Sequence, residues 1–424
     1  MNRYQDIVGR INYGLFLVVV FLLPFPQIAI RVSCVAWIIM WFFEGRWLRK
    51  PKSLKENKMA IPFILFAAWY AWKLLSVLWA PDYSAWAWEM ERYMAFGLML
   101  PIGIWGVNEY YDWRTIGKAL ILGCVLAVPM YLIGMVFAFH HQDWMASLLH
   151  VERWWTWTNE WGEFLSMNLS WFKHRLFLCS VEILGVIAAY QIYRKKLWIL
   201  IPSALVMLSS IPLTGSRQSV LTCAAMLVIG AIYALPKRYR IKYGVAILVG
   251  GMLLGGGLLT QHPRMQDFEW PSLNDFQNID QNAPEIRFNI WSLALEHPED
   301  YMLKGLGAGQ SMQYMQHKYH AYNLDVYAYL HFHAHNQYLE ELMEIGIFGL
   351  LLFIAAWLVI PFCAKGLGRQ TAVMTTTLFI LNMQTDCMFG KFCGIALWAA
   401  CLIYVLLQSD AERKEQPAGD TQTH

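Results

Sequence analysis

Long apolar runs alternate with short polar connections over most of the chain. Twelve of these runs approach the roughly 20 apolar residues that cross the hydrocarbon core of a bilayer. The predicted spans are residues 11–25, 27–43, 59–79, 92–108, 118–139, 176–193, 197–213, 219–235, 243–260, 345–364, 371–389 and 393–408. A segment in lipid must satisfy its backbone polar groups internally, so each run predicts a helix. The pattern therefore predicts an all-α polytopic membrane protein with about 12 transmembrane helices.

Two long connections interrupt this pattern and divide the chain. The first, residues 140–175, is rich in tryptophan, which accumulates at membrane interfaces. Its Trp residues include Trp144, Trp154, Trp155, Trp157, Trp161 and Trp171. We predict that it lies in the headgroup layer, either as an anchor or as a groove for a lipid-linked or sugar substrate. The second, residues 261–344, predicts a large helical loop between spans nine and ten. It separates a transmembrane part at 1–260 from another at 345–408, and a tail follows at 409–424.

The composition agrees with membrane insertion and excludes several other classes. Hydrophobic residues make up 57% of the 424 residues and charged residues only 15%, too few to cover a soluble surface of this size. The formal net charge of +3 is too small to indicate a nucleic-acid partner. All 8 cysteines lie in or beside predicted spans, so no disulfide framework is predicted for the loops. Cys387 and Cys393 flank a short turn, where a disulfide is the alternative to two buried thiols.

The distribution of Lys and Arg predicts the orientation. With the N-terminus in the cytoplasm, 21 of the 33 Lys and Arg residues fall in the inner segments, as the positive-inside rule requires. Both termini are then cytoplasmic and both long loops are periplasmic, which predicts a bacterial inner-membrane protein. The first apolar run is interpreted as a retained anchor, because no cleavage site of small residues follows it.

The second long loop contains a predicted helix with candidate binding residues. Pro284 and Pro298 bound this helix, since proline is favoured at the first helical position and stops a helix that precedes it. Its apolar stripe is Ile286, Ile290 and Leu293. Arg287 and Trp291 share a neighbouring face one turn apart. The sequence GLGAGQ at 305–310 follows as a flexible turn, and no strand precedes it to indicate a dinucleotide site.

A histidine at the end of this loop is a candidate general base. The sequence from His335 or Asn336 to Ile345 predicts a helix, and Gly346 is a natural stop. The positive end of the helix dipole disfavours an imidazolium at His335, so the ring is expected to be neutral and able to accept a proton. The alternative is that His335 only caps the helix.

Three closely spaced histidines raise the question of a metal. In an extended stretch His331, His333 and His335 would share one face and could bind a metal together. Such sites usually also recruit a carboxylate or a cysteine. The nearest carboxylates, beginning with Glu340, belong to the following helix. The sequence analysis therefore predicts no metal and no other cofactor, with a three-histidine site as the alternative.

Two arginines are candidates for binding an oxyanion. Arg217 lies in the very short turn TGSRQ at 214–218, where the guanidinium could bind a diphosphate in bidentate fashion. Contact with lipid phosphates is the alternative. Arg287 would supply a second guanidinium. Asp386, near the outer end of a predicted span, could orient an Arg or a His.

These residues lie in three motifs whose order resembles the O-antigen ligase and polymerase family of bacterial envelope glycosyltransferases. The first motif is TGSR at 214–217. The second has Arg287, Trp291, Ala294 and Pro298 in the pattern R-x-x-x-W-x-x-A-x-x-x-P, followed by GLGAG at 305–309. The third and most specific is HNQYLEELMEIGIFG at 335–349, in which nine residues separate His335 and Asn336 from the pair Gly346 and Gly349.

The resemblance implies an O-antigen ligase in lipopolysaccharide biosynthesis. Such an enzyme transfers a glycan from undecaprenyl diphosphate to a sugar hydroxyl of lipid A-core on the periplasmic side, with inversion and without a metal. It implies that His335 is the catalytic base and that Arg217 and Arg287 bind the diphosphate. Asn336 and Trp291 match the motifs as secondary site residues.

The motifs leave other functions open. A polymerase of O-antigen or capsule, or a protein O-oligosaccharyltransferase, would use similar residues on a different acceptor. The absence of an added soluble domain favours the ligase. A transporter of lipid-linked sugars would need polar groups near the middle of the membrane and, ideally, internal repeats, and the sequence shows few of the former and no clear repeat.

Overall fold

The regular structure of the chain is helical throughout the residues that are described. The computed structural model describes residues 3–48, 50, 54, 57–140, 174–213, 216–260 and 285–415. The helices are α1 (Arg3–Leu22), α2 (Gln27–Glu44), α3 (Ala60–Leu75), α4 (Tyr83–Trp105), α5 (Trp113–His140), α6 (Arg175–Tyr193), α7 (Leu197–Leu213), α8 (Arg217–Ala234), α9 (Lys237–Thr260), α10 (Glu285–Ala294), α11 (Ser311–Ala321), α12 (Asp325–Tyr329), α13 (Gln337–Leu358), α14 (Ile360–Cys363), α15 (Gly366–Met383) and α16 (Phe392–Glu415). The predicted all-α class is thereby confirmed.

Among the described residues, seven helices are long and apolar enough to cross a membrane. They are Arg3–Leu22, Gln27–Leu48, Ala60–Leu78, Trp113–Ile133, Arg175–Tyr193, Gln337–Cys363 and Phe392–Glu412. Three shorter apolar helices accompany them, at Leu197–Ile211, Gln218–Ala234 and Lys242–Gly251. Each predicted span overlaps a helix of the structure, whereas the number of twelve spans stays a prediction. The Trp-rich loop lies outside the described residues from 141 to 173.

Several helix starts follow from side-chain caps. Asp82, Ser216 and Asn336 precede α4, α8 and α13, and each side chain accepts a hydrogen bond from a backbone N–H in the first turn. These bonds satisfy donors that the helix itself leaves unpaired. The structure therefore places Arg217 at the first position of α8 and His335 just before the cap of α13.

In the part of the chain that the structure describes, two hydrophobic cores hold the helices together. In the larger core, aromatic rings from α3, α4, α13 and α16 meet in the middle of the bundle, for example Phe96 and Trp398, whose ring centroids are 4.4 Å apart. The smaller core lies under α10 to α12 and contains the predicted stripe of Ile286, Ile290 and Leu293, all of them buried. The second core gives the segment after residue 285 its own packing.

Helix α10 is shorter than predicted. It ends at Ala294, and residues Pro298–Asp300 form a separate 3₁₀ turn. Proline disfavours the helical conformation in the residue before it, and His297 has φ −128° and ψ 66°. The helix thus ends several residues before Pro298 and not at the proline itself.

The glycine turn at 305–309 is held against a break in α13. Gly346 lies inside α13 with φ 68° and ψ −175°, so the helical hydrogen bonding stops there as the sequence predicted. The carbonyls of Met343 and Glu344 then accept hydrogen bonds from the N–H groups of Leu306 and Gly307, both at 2.8 Å. The turn that the sequence analysis described as flexible is instead bonded to the helix that follows His335.

Close backbone approach explains why this contact uses glycine. A Cβ at Gly346 would lie 2.3 Å from the carbonyl oxygen of Leu303. A Cβ at Gly305 would lie 2.2 Å from the carbonyl oxygen of Glu344. Both glycines also have positive φ. The glycine turn of the second motif therefore packs directly against the Gly346 region of the third motif.

Candidate functional site

The candidate site lies where four segments of the chain converge. These are the start of α6 at His174, helix α10, the stretch before α13, and the turn between α15 and α16 at 384–391. The stretch before α13 is anchored by Trp291, whose indole Nε1 donates to the carbonyl of Ala334 at 2.8 Å. Trp291 thus positions the segment that contains His335.

His335 has a conformation that is unusual for a residue with a side chain. Its φ is 47°, in the left-handed region. Its backbone N–H donates to Nδ1 of His333 at 3.0 Å, and the two imidazole rings lie 4.0 Å apart. The side chain of Asn336, not that of His335, caps α13. The alternative that His335 serves only as the cap is therefore wrong.

The charge state of His335 follows from its surroundings. Burial lowers the pKa of His335 well below its usual value, and His333, Arg287 and Lys391 lower it further. Asp386 acts in the opposite direction. The ring is therefore neutral near pH 7, as the sequence predicted, although burial is the largest cause and not the helix dipole.

Asp386 lies in a turn at the site and not inside a membrane span. Helix α15 ends at Met383, so Asp386 belongs to the turn that follows and not to the span predicted at 371–389. Its Oδ2 is 3.3 Å from Nζ of Lys391 and 3.6 Å from Nε2 of His174. Burial alone would raise the pKa of Asp386, but Lys391 and the neighbouring histidines lower it overall. Asp386 is therefore a carboxylate.

The two predicted arginines differ in what the structure describes. Arg287, on α10, is half-buried, and its Nε is buried without a hydrogen-bond partner among the described residues. Burial lowers the pKa of Arg287, while the charge of Asp386 raises it. Arg217 begins α8 three residues after Thr214 of the predicted turn, and its side chain lies outside the described part of the structure.

The three histidines do not share one face. His331 has φ 49° and is exposed, because the left-handed conformation interrupts the extended stretch. Among the described residues, some histidine, cysteine and acidic side chains lie close enough together to hold an ion. His331 belongs to none of these clusters. The three-histidine site, the alternative to the prediction of no metal, is therefore wrong.

The reason that the sequence analysis gave against a metal is also wrong. Sγ of Cys387 is 3.0 Å from Oε2 of Glu340 and 3.5 Å from Nδ1 of His333. A cysteine and a carboxylate thus lie beside a histidine. No disulfide forms between Cys387 and Cys393.

A buried ion network supports the helix that follows His335. Nζ of Lys73 in α3 lies 3.2 Å from Glu341 and 2.8 Å from Glu344, and the three side chains are at most 1% exposed. Glu344 also accepts hydrogen bonds from the N–H of Gly309 at 2.9 Å and from Oγ of Ser311 at 3.1 Å. The network connects α3, α13 and the glycine turn.

Two residues of the site, His174 and Lys391, were not predicted from the sequence. Burial, followed by the charge of Lys391, lowers the pKa of His174 to about 4, so that ring is neutral as well. Neither residue belongs to the three motifs. The available signal was their position, because each is a polar residue next to the end of a predicted span.

The fold and the site together define a membrane protein in which helices able to cross a bilayer carry a polar cluster of His, Arg and Asp at their connections. Residues 202–354 match the family model described as O-antigen ligase. Over this segment the match confirms the resemblance of the motifs to the O-antigen ligase family, a family of membrane glycosyltransferase type. No curated protein matches the chain. The matched segment includes Arg217, Arg287 and His335, whereas His174 and Asp386 lie outside it.

Proposed function

We propose that the protein is an O-antigen ligase of the bacterial inner membrane. In this proposal it transfers a glycan from undecaprenyl diphosphate to a sugar hydroxyl of lipid A-core, at a site on the periplasmic side. The observation that carries the proposal is the neutral, half-buried His335 within the electrostatic reach of Arg287 and Asp386, in a chain that matches the family model over residues 202–354.

His335 acts as the general base. It accepts the proton of the acceptor hydroxyl while the hydroxyl oxygen bonds to the anomeric carbon of the donor glycan. The bond from that carbon to the diphosphate oxygen breaks on the opposite side, so one displacement inverts the anomeric centre. A base must be deprotonated before the reaction, and the low pKa of His335 meets this requirement at neutral pH.

Arg287 and Arg217 bind the diphosphate that leaves. The leaving group gains negative charge as the glycosidic bond breaks, and a guanidinium can bind two of its oxygens at once. The unpartnered Nε of Arg287 is a donor available for this contact. A diphosphate is already a good leaving group, so the proposed mechanism needs neither a general acid nor a metal.

Asp386 orients the cationic and imidazole groups around it. Its carboxylate lies between Lys391 and His174 and raises the pKa of His335, which favours the imidazolium formed during the reaction. Asp386 thereby stabilises the charge that develops on the base.

The test is transfer by the purified protein with an undecaprenyl-diphosphate glycan and a lipid A-core acceptor. His335→Ala should lower the transfer rate by about 10²–10⁴-fold, the usual contribution of a general base. It should still bind the donor. The matched control is His331→Ala, which alters an exposed histidine of the same stretch and should retain activity.

The same assay distinguishes the ligase from its relatives. Full activity of His335→Ala would refute the role of the base. Growth of the donor glycan without use of lipid A-core would identify a polymerase, and transfer to a protein acceptor would identify a protein O-oligosaccharyltransferase. Both outcomes would overturn the ligase while keeping the donor.

A further inference from the structure

We propose that Lys391 binds the diphosphate of the donor and that Asp386 holds its ammonium group in place until the donor arrives. This inference rests on the proposed function, because it concerns the same donor. It adds to the site a cation from outside the segment that matches the family model.

The backbone of the turn before α16 is firmly held. The side chain of Gln337 accepts a hydrogen bond from the N–H of Phe389 at 2.9 Å. Arg92 donates a hydrogen bond to the carbonyl of Gly390. Lys391 therefore starts from a fixed position, and only its side chain needs to move for the ammonium to change partners.

The side chain of Lys391 is placed to reach both the carboxylate and a ligand. Its Nζ is 3.3 Å from Oδ2 of Asp386, and the side chain is 34% exposed. The ammonium also lies 5.6 Å from the ring centroid of Phe177 in α6, an aromatic contact that limits how far it can turn away. The side chain of Lys391 therefore has a carboxylate partner and is still partly exposed.

The charges that act on His335 show that Lys391 lies near the proposed base. Arg287 and Lys391 both lower the pKa of His335, so both positive charges lie within electrostatic reach of the ring. A diphosphate that leaves next to His335 would therefore have two cations from different parts of the chain within electrostatic reach. Asp386 has a second neighbour besides Lys391, since its Oδ2 lies 3.6 Å from Nε2 of His174.

Lysine suits this exchange of partners. Its ammonium has three donors on a flexible stem, so it can bond to a phosphate oxygen without a fixed bidentate geometry. The competing interpretation is that Lys391 serves only to hold Asp386. That role would affect catalysis without changing the affinity for a diphosphate.

The experiment measures inhibition of glycan transfer by farnesyl diphosphate. Lys391→Gln should raise the inhibition constant of farnesyl diphosphate and the KM of the donor by roughly ten- to a hundredfold, as expected for loss of one hydrogen bond to a charged group. The KM of the acceptor should stay the same. Lys391→Arg should recover most of the affinity. Lys304→Gln, an exposed lysine before the glycine turn, is the matched control and should behave like the wild type.

A measurement on the wild type makes the test independent of how the variants fold. Farnesyl diphosphate should protect Lys391 from acetylation by acetic anhydride, read by mass spectrometry, and should leave Lys304 unprotected. Inhibition of the wild type with neither protection of Lys391 nor a weaker inhibition constant in Lys391→Gln would overturn this inference alone. A wild type that farnesyl diphosphate neither inhibits nor protects would refute the proposed donor itself.

Discussion

Replacement of Lys73 by Met tests whether the buried ion network holds the helix that follows His335. Methionine keeps the unbranched stem of the side chain and removes the ammonium. Glu341 and Glu344 would then remain buried without the cation that lies 3.2 Å and 2.8 Å from them. The contact of the ammonium with the ring of Tyr93, 4.5 Å from its centroid, would be lost as well.

The expected loss of stability follows from the two carboxylates that stay buried without a cation. Removing one partner of a buried ion pair costs about 3–5 kcal/mol, chiefly because the other charge stays uncompensated. The lost cation–π contact overlaps with this value, so we expect about 4 kcal/mol in total. At about 1.4 kcal/mol for each factor of ten, the ratio of folded to unfolded protein falls on the order of 10³-fold. The corresponding decrease in Tm is on the order of 10 °C.

The assay is thermal unfolding of the detergent-purified protein, followed by tryptophan fluorescence. Lys118→Met, at an exposed position on α5, is the control and should unfold at the wild-type temperature. The triple variant Lys73→Met, Glu341→Gln and Glu344→Gln should regain most of the lost stability, since it removes the charges of both carboxylates together with that of the ammonium.

Two results would refute this reasoning. One is a Tm for Lys73→Met close to that of the wild type, which would show that the network contributes little to stability. The other is a triple variant no more stable than the single one, because the loss could then not come from the two uncompensated carboxylates.

Three further predictions concern the site and its support. Since burial and nearby cations hold the pKa of His335 well below 6.5, kcat/KM should stay constant through neutral pH and fall only as the pH drops through that lowered pKa; a half-maximum at pH 6.5 or above would contradict this. Gly346→Ala should destabilise the protein by about 1–3 kcal/mol from the strained backbone alone, and a clash with the carbonyl of Leu303 adds to this loss. Gly14→Ala, which has open space around it, is the control and should be neutral in the same thermal assay. Arg287→Lys should lose most transfer activity, because it keeps the charge without the bidentate geometry, and wild-type turnover in this variant would argue against diphosphate binding.

Much of the fold could be predicted from the sequence, because the residues of a segment by themselves decide whether it forms a helix in a bilayer. Every apolar run overlaps a helix of the structure, since a run of apolar residues has no other way to satisfy its backbone in a bilayer. The stop at Gly346 and the buried stripe of Ile286, Ile290 and Leu293 were equally local, because they depend on glycine and on helical spacing.

The motifs also indicated the residues at the centre of the site. His335, Arg287 and Trp291 were identified from their spacing, and the structure brings all three to the same region. Their chemical roles stay predictions. The side chain of Arg217 is outside the described residues, so its place beside the others stays a prediction too.

Only the tertiary structure decided which distant residues meet. Asp386 contacts His174, more than 200 positions earlier, and Lys73 pairs with Glu341 across a separation of 268 residues. The same packing brings Cys387 beside Glu340 and His333, a contact that the sequence did not predict. Helical periodicity specifies the faces of each helix, but which helices pack together depends on burial and hydrogen bonding summed over the whole bundle. A polar residue at the end of a span therefore shows its partner only once the helices are assembled.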